Sequence, residues 1–519
     1  MAFPITEIIL KDVRPFFYQA FYLYLYLGSI AFVWYMHAIY FKENTLKQII
    51  KTQKKDSKPG FIKKQKSHPI RYGSFYLRLG AIAFGIGSMV YSGLEFGQYF
   101  ELKKNVECHS NILQAITPAT RMVLTLVQVN FIFLNNKDFE LDRHRTIARF
   151  GLMHMIATNL CEWLNVLVEE TKHEINHLGN HTSDHTNASM TKKGGDIMGS
   201  LVTSASPFLF PCTIEYSLIC AVILFEMWKK VKTVKIKNKQ NKEHDKNATS
   251  VHKDEKITQH YNFSPLNNNP NNSNHYIIDC SNTYRGLFAG IMVIVLTIIS
   301  LMFFVLAKEG GTSEIKKVAE FEVSIVELIL YIITTIVVVV AMFQMRALKY
   351  DKKIGVDGRF GIGLDNTLLL VAQTGMFIYC MFSIIGYYFN MDNSPPIELL
   401  AEIFSFIQTC LQTMFVLDGW SRKCRNMKQA KNKPGRELIT FLIVANMAMW
   451  IINTLEKNRA EFRQIHLKFF GDWTWTIITH ITMPLAIFYR FHSTICLVEI
   501  WRSAYQFKAT QRNSLFSLI

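Results

Sequence analysis

Eleven stretches of mostly apolar residues, each long enough to cross a bilayer, recur along this 519-residue chain and leave it few alternative folds. About 20 apolar residues in a helix span roughly 30 Å of hydrocarbon. The stretches lie near 16–41, 74–99, 109–134, 145–169, 206–228, 282–307, 319–345, 364–390, 397–420, 436–456 and 472–501. Membrane barrel strands are about half as long and alternate apolar with polar residues, so these segments predict helices. Half of all residues are hydrophobic, and the polar ones gather in blocks between the stretches. The expected fold class is an all-α polytopic membrane protein of about eleven transmembrane helices.

Orientation follows from the loops, because Lys and Arg near helix ends stay on the cytoplasmic side. Every second loop is basic: Lys42 to Arg71, Lys229 to Lys256, RALKYDKK at 346–353 and SRKCRNMKQAKNKPGR at 421–436. This places the C-terminus in the cytoplasm and, with eleven spans, the N-terminus outside. The intervening loop 171–205 is expected outside and holds the glycosylation sequons of Asn180 and Asn187. Similar triplets at Asn247, Asn262 and Asn271 fall in a loop expected inside and read as chance matches. The net charge of +17 reflects cytoplasmic anchoring and contact with anionic lipid, and nothing supports a nucleic-acid partner. The polar segment 231–278 reads as a disordered linker between two membrane halves. The expected division is 1–230, a linker at 231–281, a span at 282–307 belonging to either half, and 308–519. No cleavable signal peptide is expected: the first apolar run is too long and ends in a basic stop.

Nine cysteines, mostly within spans, do not make a disulfide framework. With no CxxC pair and no HExxH motif, neither a metal site nor a cofactor is expected. The glycines of YGSFYLRLGAIAFGIGSMVYSGLEFG read as small-residue helix contacts, since a nucleotide loop does not sit in a span.

The chemistry lies in the polar residues inside the spans, where an ionisable group costs a few kcal/mol or more and usually faces a bundle interior. The last span carries His480, Arg490 and His492. Helix rise places Glu215 near mid-bilayer, whereas Glu226 falls close to the cytoplasmic surface. Gln128, Asn159, Asp365, Gln373, Gln408, Gln412 and Asn446 are further intramembrane polar residues. Each has a structural reading: a hydrogen bond between helices, a protonated Glu215, a neutral His492, or an Arg490 that snorkels to the interface. The functional reading is a proton relay, which needs a carboxyl and an imidazole that can change protonation near neutral pH.

Four motifs, FLFPCTIEY (208–216), HMIATNLCEW (154–163), VANMAMWIINTLEK (444–457) and MPLAIFYRFHS (483–493), resemble those of the otopetrins, a family of multi-pass proton channels. The resemblance runs through nearly all the spans. It implies a plasma-membrane homodimer, each subunit built of two related six-helix barrels, that conducts protons and is activated by extracellular acid. It maps the family's intramembrane glutamate to Glu215 and the histidine after FYR to His492. The polar interior positions correspond to Gln128 and Asn159, then to Gln412 and Asn446. One departure stands out: the family has twelve spans with both termini inside, and 16–41 aligns with its second helix. The expectation is a missing first helix or a truncated product, with one barrel left open.

The working expectation is passive proton flux through internal water and the side chains Glu215, His492, Arg490, Gln128, Asn159, Gln412 and Asn446. No P-loop, potassium-filter sequence or voltage-sensor helix argues for another mechanism. Acid sensing is expected of Glu174 and of His173, His177, His181 and His185 in the loop after the fourth span, of which the first two histidines have a spacing that can also bind zinc. The competing readings are a proton-coupled transporter, which would show saturable solute uptake, and a non-conducting scaffold. An intramembrane acyltransferase lacks a donor site, so no enzyme activity is expected.

Overall fold

A computed structural model describes residues 15–53, 75–102, 112–134, 145–183, 197–248, 283–310, 312–350, 364–390, 395–457 and 463–505. The helices are α1 Pro15–Gln53, α2 Phe75–Leu102, α3 Leu113–Leu134, α4 Arg145–Ser183, α5 Ile197–Ala248, α6 Tyr284–Gly310 and α7 Ser313–Met345. They continue with α8 Leu364–Phe389, α9 Pro396–Gly419, α10 Met427–Asn432, α11 Arg436–Ile452, α12 Gln464–Phe470 and α13 Asp472–Ser503. Two short strands, β1 Lys349–Tyr350 and β2 Arg422–Lys423, pair antiparallel and tie two of the basic runs together. The end of the bundle where these runs lie is called the basic end below, and the opposite one the far end.

Ten of the described helices are long and apolar enough to cross a membrane, which makes this an all-α, multi-pass membrane protein. The remaining expected span, 145–169, forms within the 39-residue α4 but is not among those ten. Its Glu162 is buried inside the bundle, where apolarity is not required, while Arg145 and Arg149 near its basic end are half-buried. Three helices run well past their expected spans. The α1 backbone continues to Gln53, into the expected basic loop, that of α4 to Ser183, into the expected outer loop, and that of α5 to Ala248, past the expected start of the linker. Residues 249–282 lie outside the described set.

Packing follows one pattern twice. Helix α1 packs on α3 and α4, α2 on α3 and α5, and α4 on α5; likewise α7 packs on α9 and α11, α8 on α9 and α13, and α11 on α13. Helix α6 lies against α11 and α7. It comes close because it presents glycines there: a Cβ on Gly286 would lie 2.0 Å from the Glu437 carbonyl oxygen, and one on Gly290 would lie 2.6 Å from Val444. Among the described residues no helix takes the matching position on α4 and α1. Phe150 of α4 is 76% exposed there.

The two groups meet through α13, which contacts α4, α5 and α2. Phe84 stacks edge-on against Phe491 at 4.7 Å, and Gly80 leaves room for the same ring. Burial ranks the helices accordingly: 72% of the apolar window of α13 is buried and 67% of that of α5, against 28% for α6. Lipid is the complement of the exposed apolar faces, so α6 is peripheral while α13 and α5 form the centre. Pro484 sits inside α13 without ending it, because neighbouring helices shelter the freed backbone group.

Candidate functional site

Four of the intramembrane amides form two matched pairs. In the first helical group Gln128 Nε2 donates to Asn159 Oδ1 at 2.9 Å and Asn159 Nδ2 donates back to Gln128 Oε1 at 3.1 Å. In the second, Gln412 Nε2 donates to Asn446 Oδ1 at 2.8 Å and Asn446 Nδ2 to Gln412 Oε1 at 3.0 Å. Each Asn also donates to the carbonyl four residues earlier, Met155 or Leu442. A tyrosine hydroxyl stands beside each pair. Tyr216 donates to the Thr125 carbonyl at 3.3 Å and Tyr489 to the Thr409 carbonyl at 3.0 Å. Even the basic ends correspond, with Arg149 over the Trp228 ring at 5.1 Å and Arg436 over Trp501 at 4.0 Å.

Toward the far end, each amide pair is overlaid by a buried cation between two carboxylates. Arg121 binds Glu162 at 2.8 Å and also pairs with Glu95, while the Tyr26 hydroxyl donates to the other Glu162 oxygen. Lys457 lies 2.9 Å from Glu402 and 3.3 Å from Glu327, all three side chains being at most 2% exposed. Lys457 closes a π-turn, Asn453–Lys457, that continues α11. Such a turn shifts the side-chain register of a helix and is frequent at functional sites. A cavity of about 20 Å³ touches Arg121, Glu162, Gln128, Asn159 and Tyr216, linking the upper cluster to the amide pair. That is room for about one water, lined by the polar partners a water needs.

The second column is joined by side chains. Arg490 donates to Gln408 Oε1 at 2.6 Å and Gln408 donates to Gln412 Oε1 at 2.9 Å. The ring of Tyr331 faces both Lys457 at 5.5 Å and Arg490 at 5.6 Å. Arg490 is fully buried, so it does not snorkel. Above Lys457 a cavity of about 40 Å³ is lined by Glu320, Glu398, Glu456, Arg463 and His466. His466, on α12 between spans, stacks on Trp475 at 4.3 Å, and its Nε2 lies 3.1 Å from the Ser383 carbonyl oxygen. Burial, then the Arg463 guanidinium, pushes its imidazole down to about 4.

Glu215 is buried with no protein hydrogen bond to either carboxyl oxygen. His492 is also buried; its Nε2 lies 2.7 Å from the Asp365 carbonyl oxygen, and its Nδ1 has no partner. No described hydrogen bond or ion pair joins Glu215 to His492. His480 lies 2.7 Å from Glu174 and so bridges α13 and α4 near the far end. Of the other acid-sensing candidates, His173, His177 and His181 lie on the helical backbone of α4, and their side chains fall outside the description. His185 and the sequon residue Asn187 lie outside the described residues, and Asn180 is placed only by its backbone. The sequence reading missed Arg121, Glu162, Glu327, Glu402 and Lys457. Their signal was present, since an ionisable residue inside a span is a functional candidate by default.

The otopetrin family profile matches residues 76–196 and 180–491. The chain belongs to the otopetrin family. Among the relatives of this otopetrin, the proton channel OtopLc of Drosophila melanogaster is 42% identical over 98% of this chain and 35% of the fly protein. The chain thus spans about a third of the fly relative's length. The proton channel OTOP2 of Mus musculus is 21% identical over 83% of this chain and 82% of the mouse protein. The proton channel OTOP1 of Danio rerio is 19% identical, covering 83% of this chain and 79% of its own length.

Proposed function

We propose that this otopetrin is a passive proton channel opened by acid at its far end, which we take as extracellular. The observation that carries this reading is the pair of matched polar columns, each running from a buried charge cluster to a hydrogen-bonded amide pair and a tyrosine. Hydroxyls, amides and single waters can relay a proton by exchanging hydrogen bonds. The cavity of about 20 Å³ in the first column has no room for a hydrated metal cation, so the geometry favours protons over sodium or potassium. The names of the relatives point the same way.

Glu215 on α5 and His492 on α13, both buried, are assigned to a third route along the interface between the groups. Gln128, Asn159, Gln412, Asn446 and Arg490 are assigned to the columns. The two groups are read as related halves, with α6 in the second by its packing on α11 and α7, and with the segment after α5 as the linker. The basic end is assigned to the cytoplasm, with the C-terminus on that side and the N-terminus outside. A homodimer in the plasma membrane, glycosylated at Asn180 and Asn187, with lipid and protons as its other partners and no enzymatic activity, completes the reading.

The test is whole-cell current in sodium-free solution as external pH falls, with intracellular pH imaged and surface expression confirmed. Inward current that reverses with the proton gradient and is lost in Glu215→Ala or His492→Ala is the expected result. A surface-expressed protein with neither current nor acidification would overturn the reading.

A further inference from the structure

The two charge clusters have the same composition, one cation and two carboxylates, and so the same formal charge of −1 when all three groups are ionised. Holding an uncompensated charge inside a bundle is costly, and one proton on one carboxyl removes it. The clusters differ in what is left over. In the first, both oxygens of Glu162 are taken, by Arg121 and by Tyr26. In the second, Glu402 Oε2 and Glu327 Oε1 have no hydrogen-bond partner, although both side chains are at most 2% exposed. Lys457 donates to Glu402 at 2.9 Å and stands further from Glu327, at 3.3 Å.

Resting on the proton-channel reading, we propose that Glu327, Lys457 and Glu402 form a proton-loading site in which Glu327 carries one exchangeable proton. Glu402 remains the carboxylate that balances Lys457. The cluster of Arg121, Glu162 and Glu95 is the closed counterpart, its Glu162 oxygens already engaged.

The position suits the role. The cavity toward the far end is lined by Glu456, neighbour of Lys457 in the chain, and by Glu398 and His466, so acidic and basic groups bracket the entry. Arg463 binds Glu456 at 2.7 Å and confines that carboxylate to the rim. On the other side the rings of Tyr331 and Tyr379 face Lys457, and Arg490 follows beyond Tyr331. A proton leaving Glu327 restores the charge of −1, which draws in the next one from the rim. Arg490 and Lys457 meanwhile keep two fixed positive charges on the path, which a metal cation would have to pass.

The experiment reads protonation directly. Infrared difference spectra of the purified full chain in lipid, between alkaline and acid pH, report the carbonyl stretch of a protonated carboxyl. The wild-type band is expected to diminish in Glu327→Gln. It should also diminish near neutral pH in Glu402→Gln, because Lys457 then pairs with Glu327 alone and no proton is needed for neutrality. Lys457→Gln leaves two carboxylates without a cation and should hold the proton at least tenfold more tightly, moving the band to higher pH. Glu162→Gln should leave it in place. A band unchanged in Glu327→Gln and Glu402→Gln overturns the site, as does a Lys457→Gln shift to lower pH. Should Lys457→Gln fail to fold, the two Gln variants, close in shape to the native residues, still decide the matter. Because the band needs no conduction, a titrating site in a chain that passes no current would sink the channel reading and leave the site standing.

Discussion

Glu215 sets stability against function at a single side chain. A buried carboxyl with no partner for either oxygen costs about 1–3 kcal/mol of desolvation, and an apolar replacement of similar size recovers it. Glu215→Leu is therefore expected to raise the melting temperature in detergent while abolishing current, and a variant that conducts normally would remove Glu215 from the path. Gln412→Leu should do the reverse to stability. It strands Asn446, whose Oδ1 and Nδ2 both bond Gln412, and should cost about 1–3 kcal/mol in thermal or denaturant unfolding. The amide residues of both pairs could be picked out in the sequence as polar letters inside apolar runs, and they are hydrogen-bonded to one another. Their tyrosine neighbours could not, because a tyrosine in a span looks like any other aromatic. The charged residues around Arg121 and Lys457 were legible singly, as ionisable letters inside spans, but not as clusters. Glu327, Glu402 and Lys457 come from three helices, and only packing, together with the π-turn before residue 458, brings them together.

Helix α12 is the element through which acid acts most directly on the fold. Its His466 is held neutral by burial and by Arg463, with its folded-state pKa at about 4, whereas an unfolded histidine titrates near 6.5. The unfolded chain therefore binds a proton first as pH falls, and the folded state is favoured less and less between about pH 6.5 and 4. Below about 4 both states are protonated and the loss levels off, at about 3 kcal/mol. Wild-type protein should lose thermal stability across that window, and His466→Gln should flatten the loss; parallel pH profiles for the two would refute the assignment. Acid would then loosen the short segment that roofs the cavity above Lys457, a local opening that costs less than unfolding a span. That roof was not legible beforehand, since QIHLKFF is too short to read as an element. Helix α4 shows the opposite limit: its length was legible, yet it is less apolar than the ten membrane-length helices, and its Glu162 is engaged inside the bundle by Arg121 and Tyr26.

The repeated packing gives the bundle a built-in control. Helix α6 clamps α11 and α7, while the matching face of α4 and α1 is covered by no described helix, so equivalent helices with equivalent amide pairs differ in what holds them. The count and length of the apolar runs made the membrane-length helices readable. The matching of Tyr216 with Tyr489 was not, because that equivalence is one of position in the packed helices. Local opening should track the clamp that α6 supplies: buried apolar contact is what raises the free energy of opening. Hydrogen–deuterium exchange of the protein in lipid nanodiscs is expected to be at least tenfold faster for α4 amides near Asn159 than for α11 amides near Asn446. Tenfold corresponds to about 1.4 kcal/mol of opening free energy. Equal protection would mean that something as firm as α6, a tightly held lipid or another helix, covers α4 and α1 in the membrane. Faster exchange would instead locate the weaker barrel and favour conduction through the clamped second column, where Gln412→Leu should then remove more current than Gln128→Leu.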